Sequence, residues 1–145
     1  MRLEPSPDVD QVAADLLDAA IEVHRSVGPG FLEAIYEEAL CVELALRGIA
    51  FVRQSNTQVH YKGRIVGEAR IDLLVDDRLI VELKAVEQIA PIHIAQAMSY
   101  LRATKLPLAL LVNFNAQVLL RGVRRIVLSP SQTFPNPGDP GAPGG

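Results

Sequence analysis

Three charged residues interrupt two apolar runs of this 145-residue chain: Asp72 in Arg70-Ile71-Asp72-Leu73-Leu74-Val75, and Glu82 and Lys84 in Ile80-Val81-Glu82-Leu83-Lys84. Burying such groups costs several kcal/mol each unless they are paired or bind a metal. Two carboxylates facing each other suit a hard divalent cation such as Mg²⁺, which takes oxygen ligands and keeps several waters. A lysine two residues beyond the second carboxylate can orient or deprotonate a water, or stabilise charge growing on a phosphoryl group. Together these groups could carry out metal-assisted phosphodiester cleavage. The same residues could instead form a cross-strand salt bridge with no chemistry.

Whether the charges meet depends on the turn between the runs. Side chains alternate along a strand, so Glu82 and Lys84 share a face while Leu83 points away. A two-residue turn at Asp76-Asp77 would set Asp72 against Val81. A three-residue turn, Asp76-Asp77-Arg78, sets Asp72 directly against Glu82. A one-residue slip exchanges the faces, so a shared site predicts the three-residue turn or a bulge.

The flanking elements can be read from periodicity. A helix is predicted from about Asp10 to Val27, with Val12, Leu16, Ala19, Ala20 and Val23 as its apolar stripe and Asp8 or Asp10 as its cap. Gly28-Pro29-Gly30 ends it. A second helix runs from about Leu32 to Arg47, stopped by Gly48. Glu33, Tyr36 and Glu37 fall on one of its faces. Strands are expected over 50–53, 57–61, 65–75 and 79–86, with a hairpin turn at Lys62-Gly63-Arg64. A helix opens at Pro91 and runs to about Thr104. Gln96 and Tyr100 are four apart on it and can point at one site, with His93 on the same face. The continuous apolar run Leu108–Phe114 predicts a strand buried on both faces. Asn115-Ala116 turns the chain into 117–120, and 123–128 forms a last strand. The order implies an α/β fold with a mixed β-sheet flanked by helices.

With Gly30, Glu33 and Tyr36, the Asp72 strand, Glu82-Leu83-Lys84, and Gln96 and Tyr100 in place, the chain resembles the GxxExxY proteins of the PD-(D/E)xK nuclease superfamily (RecB-like) over roughly residues 10–128. The resemblance implies a restriction-endonuclease-like core. It implies that Glu33, Asp72 and Glu82 hold Mg²⁺ or Mn²⁺ and that Lys84 is the catalytic lysine. Gln96 and Tyr100 would correspond to the QxxxY element that positions the site. Where many RecB-like nucleases carry a histidine in the first helix, Glu33 stands here. The implied activity is hydrolysis of phosphodiester bonds, with nucleic acid as partner, DNA before RNA. The alternative is a catalytically inactive nucleic-acid-binding or protein-interaction module with the same fold.

Composition fits a single domain over residues 1–128 followed by a disordered Pro/Gly-rich tail over 129–145. Hydrophobic residues make up 49% of the chain but aromatic ones only 5%, so the core must be aliphatic. The single Cys41 excludes an intrachain disulfide and fits a reducing cytoplasm. It lies in an apolar run, as a packed thiol would. No apolar stretch approaches the ~20 residues of a membrane span, and no secretory leader is recognisable. The formal net charge is −3, with six carboxylates against two arginines in residues 1–28, which leaves the rest weakly basic. Candidate phosphate contacts are Arg121, Arg124, Arg125, Arg102 and Lys105. That weak basicity is not the footprint of a tight nucleic-acid binder, and a solitary domain of this size suggests a homodimer or a partner protein as an aid to gripping a duplex.

Overall fold

A computed structural model describes residues 4–128; the tail expected over 129–145 lies outside them. Helices α1 (Pro7–Val27) and α2 (Glu33–Leu46) precede strands β1 (Phe51–Tyr61), β2 (Arg64–Val75) and β3 (Leu79–Lys84). Helix α3 (Pro91–Thr104), strand β4 (Leu108–Asn113), a 3₁₀ turn (Leu119–Gly122) and strand β5 (Val123–Ile126) follow. The strands form one sheet in the order β1-β2-β3-β4-β5. β3 and β4 are parallel, as the intervening α3 requires, and the other pairs are antiparallel. The fold is therefore the expected α/β mixed sheet flanked by helices.

Alternation along the strands divides the core into two layers. Leu73, Val75, Leu79, Val81, Leu83, Leu108, Leu110 and Val112 meet the buried stripes of α1 and α2. Ile80, Ala109, Leu111 and Ile126 meet Ala97 and Leu101 of α3. All six residues of β4 are buried, as its unbroken apolar run implied.

The helix ends explain where each helix stops. Ser6 caps α1, its Oγ accepting from Val9 N–H at 3.4 Å, and the expected caps Asp8 and Asp10 instead sit in the first turn. Gly48, at φ 71°, follows the end of α2. Its N–H donates to Ala45 O and that of Ile49 to Leu44 O, which satisfies the final carbonyls in a Schellman arrangement.

Tyr36 fixes the rotation of α2. Its ring stacks on Phe114 with centroids 4.6 Å apart. Its hydroxyl donates to Gly28 O at 2.5 Å and accepts from Phe31 N–H at 3.1 Å. One side chain thus ties the α1–α2 turn to the end of β4.

Three expectations need correction. The strands anticipated over 50–53 and 57–61 are one strand, because β1 keeps the same register with β2 on both sides of Gln54, which sits at φ 49°; the register shifts only between Val59 and His60. The segment over 117–120 leads into a 3₁₀ turn. β5 ends at Ile126, earlier than expected.

Removing the Tyr36 hydroxyl leaves Gly28 O and the Phe31 N–H without that partner. Tyr36→Phe is expected to cost about 1–2 kcal/mol, read as a lower denaturant midpoint at unchanged slope.

Candidate active site

The β2–β3 hairpin uses the three-residue turn. Val75 pairs with Leu79, Leu74 with Ile80 and Leu73 with Val81. Asp76 and Asp77 take left-handed conformations at φ 52° and 56° to close it. Short aspartates tolerate that conformation better than branched residues would. One step further, Asp72 lies opposite Glu82, and there the backbone ladder gives way to side chains. Glu82 Oε1 accepts from Asp72 N–H at 3.3 Å, and Asp72 Oδ2 accepts from Leu83 N–H at 2.9 Å.

The strands fork at this point for a local reason. Leu73 and Val75 pack toward α1 and α2, whereas Ile71, two residues before Leu73, packs toward α3. The alternation of β2 therefore changes phase at Asp72. β2 stays paired with β1 beyond the fork, and that outer half of the hairpin is largely exposed on both faces.

Glu82 is only 4% exposed, which makes its ionisation expensive. Burial first, then the Asp72 charge and a hydrogen bond with Asp72, push its carboxyl up to about 9; the Asp72 backbone N–H and Lys84 pull it down. At neutral pH the Glu82 carboxyl therefore keeps its proton. Lys84, half-buried on the same face, is anchored through its carbonyl, which accepts from Phe114 N–H at 2.9 Å. Tyr100 of α3 faces the pair: burial chiefly, then the charges of Glu82 and Asp72, raise its phenol, so it remains an O–H donor. Gln96, one helical turn earlier, is exposed.

Glu33 does not join this group. Among the described residues no three His, Cys, Asp or Glu side chains gather where they could hold a metal ion. Tyr36, Leu40 and Leu44 turn inward and leave Glu33, the first residue of α2, exposed. The α2 carboxylates that reach the sheet are Glu37, which accepts from Gln54 at 2.6 Å and pairs with Arg53 at 2.8 Å, and Glu38, which pairs with the same arginine at 2.9 Å. The expected metal-holding trio is thus a pair, Asp72 with Glu82.

Other residues settle into supporting positions. His93 Nδ1 accepts from Ala90 N–H at 3.0 Å and so caps α3. His24 Nε2 bonds Ala116 O at 2.6 Å. Cys41 is buried, and burial is the main cause that pushes its thiol up to about 11, as befits a packed rather than nucleophilic sulfur.

Asn113 is the supporting residue that sequence reasoning missed. It lies beside Lys84 in the parallel ladder. Its amide donates to Val86 O at 2.8 Å and accepts from Val86 N–H at 3.1 Å, holding the chain as it leaves β3. The available signal was an amide side chain inside the apolar run Leu108–Phe114.

The pair suits a hard divalent cation. Its donors are carboxyl oxygens, the ligands such a cation takes, and the burial that disfavours charge on Glu82 would be offset by positive charge beside it. A mixed sheet with helices on both faces, forked over a carboxylate pair with a lysine two residues on, is consistent with a restriction-endonuclease-like core. Residues 10–126 match the model of the PD-(D/E)XK nuclease superfamily, and the chain belongs to that superfamily. No curated protein and no solved structure gives a significant match.

Folding takes up a proton at Glu82 between its usual value of 4.5 and about 9. The stability from this group is therefore complete at the acid end of that window and is lost as pH rises through it. Metal-free protein is expected to melt at lower temperature at alkaline than at mildly acid pH. Glu82→Gln should flatten that slope, checked by thermal melts in chelator across the range.

Proposed function

We propose that the chain is a metal-dependent nuclease that hydrolyses phosphodiester bonds in nucleic acid, DNA before RNA. The observation that carries this reading is the buried Asp72–Glu82 pair at the strand fork, with Lys84 on the Glu82 face and superfamily membership around it. Asp72 and Glu82 would hold Mg²⁺ or Mn²⁺, which when bound would supply Lewis-acid polarisation of a phosphoryl oxygen.

The remaining chemistry falls to the chain's own groups. Lys84 orients the attacking water and donates hydrogen bonds to the charge that develops on the phosphoryl oxygens. Tyr100, kept protonated by its surroundings, donates a further hydrogen bond to the substrate backbone. Gln96, exposed on the same face of α3, contacts substrate outside the reacting centre. Gly30, Glu33 and Tyr36 support placement within the GxxExxY group. The lone buried Cys41 supports a reducing, cytoplasmic setting. No helix among the described residues is long and apolar enough to cross a membrane.

A second reading, a non-catalytic binding module with the same fold, is favoured by one observation: two carboxylates converge where three were expected.

Incubation with supercoiled, linear and single-stranded DNA and with RNA, in Mg²⁺, Mn²⁺ or EDTA, separates the two. The nuclease reading expects metal-dependent cleavage that falls by about 10²–10⁴-fold in Lys84→Ala. Binding that survives EDTA, with no cleavage of any substrate, would establish the second reading. Cleavage by Lys84→Ala at the wild-type rate would sink the assigned role of the lysine.

A further inference from the structure

Of the arginines that could meet phosphate, the fold separates one from its neighbours. Arg125 pairs with Leu110 across β4–β5 and is turned toward α1, where it forms ion pairs with Asp10 at 3.0 Å and Glu4 at 3.9 Å. Arg124 pairs with Leu111 and lies on the α3 face. Leu111 in turn pairs with Glu82. Glu82, Leu111 and Arg124 therefore form one row across three adjacent strands, on the face that carries the carboxylate pair.

Neighbouring strands lie about 4.8 Å apart, so Arg124 stands roughly 10 Å from Glu82 along that row. A nucleic-acid strand advances about 3.4 Å per nucleotide in a duplex. Measured along the duplex axis, the separation corresponds to roughly two or three nucleotides.

A cleft of about 380 Å³ opens at this point, next to the row in which Asn113 pairs with Lys84. Its walls include Arg121, Arg124, Gln88 and Asn113, with Glu87 as an opposing charge. Arg124 is held in position. Arg124 Nη1 donates to Arg121 O and Val123 O, both at 3.1 Å, which leaves guanidinium donors for another acceptor. Gly122 lets the turn between them close on the end of β4: a Cβ there would lie 2.7 Å from Asn113 O and 2.8 Å from Ala116 Cβ.

We propose that this cleft is a phosphate subsite, in which Arg121 and Arg124 hold a backbone phosphate two or three nucleotides from the bond presented to Asp72, Glu82 and Lys84. The inference rests on the nuclease reading for its substrate and adds the direction in which the strand runs over the sheet. It leads from the β2–β3 fork across β4 to β5. Arginine suits this position because its planar fork matches phosphate oxygens and stays charged.

The test is fluorescence anisotropy with a short fluorescein-labelled DNA duplex and its single strand, in EDTA so that cleavage plays no part. The salt concentration is varied, and the Arg121→Ala/Arg124→Ala protein is compared with wild type and with Arg125→Ala. The double variant should bind roughly tenfold more weakly, with a salt slope smaller by about two. Arg125→Ala should bind as wild type does, and Glu87→Gln should bind more tightly. Wild-type affinity and slope in the double variant would overturn the subsite alone. An equal loss in Arg125→Ala would overturn it as well, because the effect would then be one of general charge. Wild-type protein that binds neither probe nor a labelled RNA would overturn both the subsite and the nuclease reading beneath it.

Discussion

Two carboxylates cannot both be charged at a site from which water is excluded unless something positive lies between them. That constraint organises the centre of this sheet. At the end of the β2–β3 ladder, Asp72 and Glu82 replace backbone partners with carboxyl oxygens, and burial favours the protonated form of Glu82. The same desolvation that raises Glu82 makes the pair responsive to whatever supplies positive charge. A structural ion pair would have drawn Lys84 into full neutralisation of Glu82; instead the burial of Glu82 and the nearness of Asp72 outweigh the lysine. The arrangement gives up stability at alkaline pH in order to keep two hard oxygen donors together.

Most of the molecule serves to hold that fork open. Leu73, Val75, Val81 and Leu83 pin the paired part of the hairpin against α1 and α2, while Ile71 is drawn to the α3 layer. The two strands cannot continue together once their side chains are committed to different layers. Asn113 holds the chain beyond Lys84, so the lysine stem leaves the sheet in a fixed direction. Tyr36, stacked on Phe114, couples the helical layer to the end of β4. These supports lie outside the carboxylate pair, yet each limits how far its atoms can drift.

The α3 face collects the candidate site residues. Glu82, Lys84, Tyr100, Asn113 and Arg124 all belong to it, by strand alternation or by position on α3. The opposite face is occupied by α1 and α2, and an arginine that points there is consumed by their carboxylates, as Arg125 is by Asp10. The sheet carries one helix on this side and two on the other.

The sequence by itself determined most of the elements and named the central candidates. Apolar periodicity located the helices, the unbroken run at Leu108–Phe114 marked the buried strand, and Asp72 and Glu82 stood out as candidates, while the choice of a three-residue over a two-residue turn was made by the folded hairpin. Periodicity, apolar runs and charge placement are short-range properties of the chain. Tertiary structure decided what depends on packing between distant segments. The rotation of α2, set by Tyr36 against Phe114, left Glu33 in solvent and sent Glu37 to β1. The continuity of β1 through Gln54 depended on its pairing with β2. The opposite fates of Arg124 and Arg125 required the register of β5 on β4 and the position of α1. Charge and spacing name the candidates, but burial and register decide among them, because the energy of a charged group is set by neighbours that the local chain does not contain.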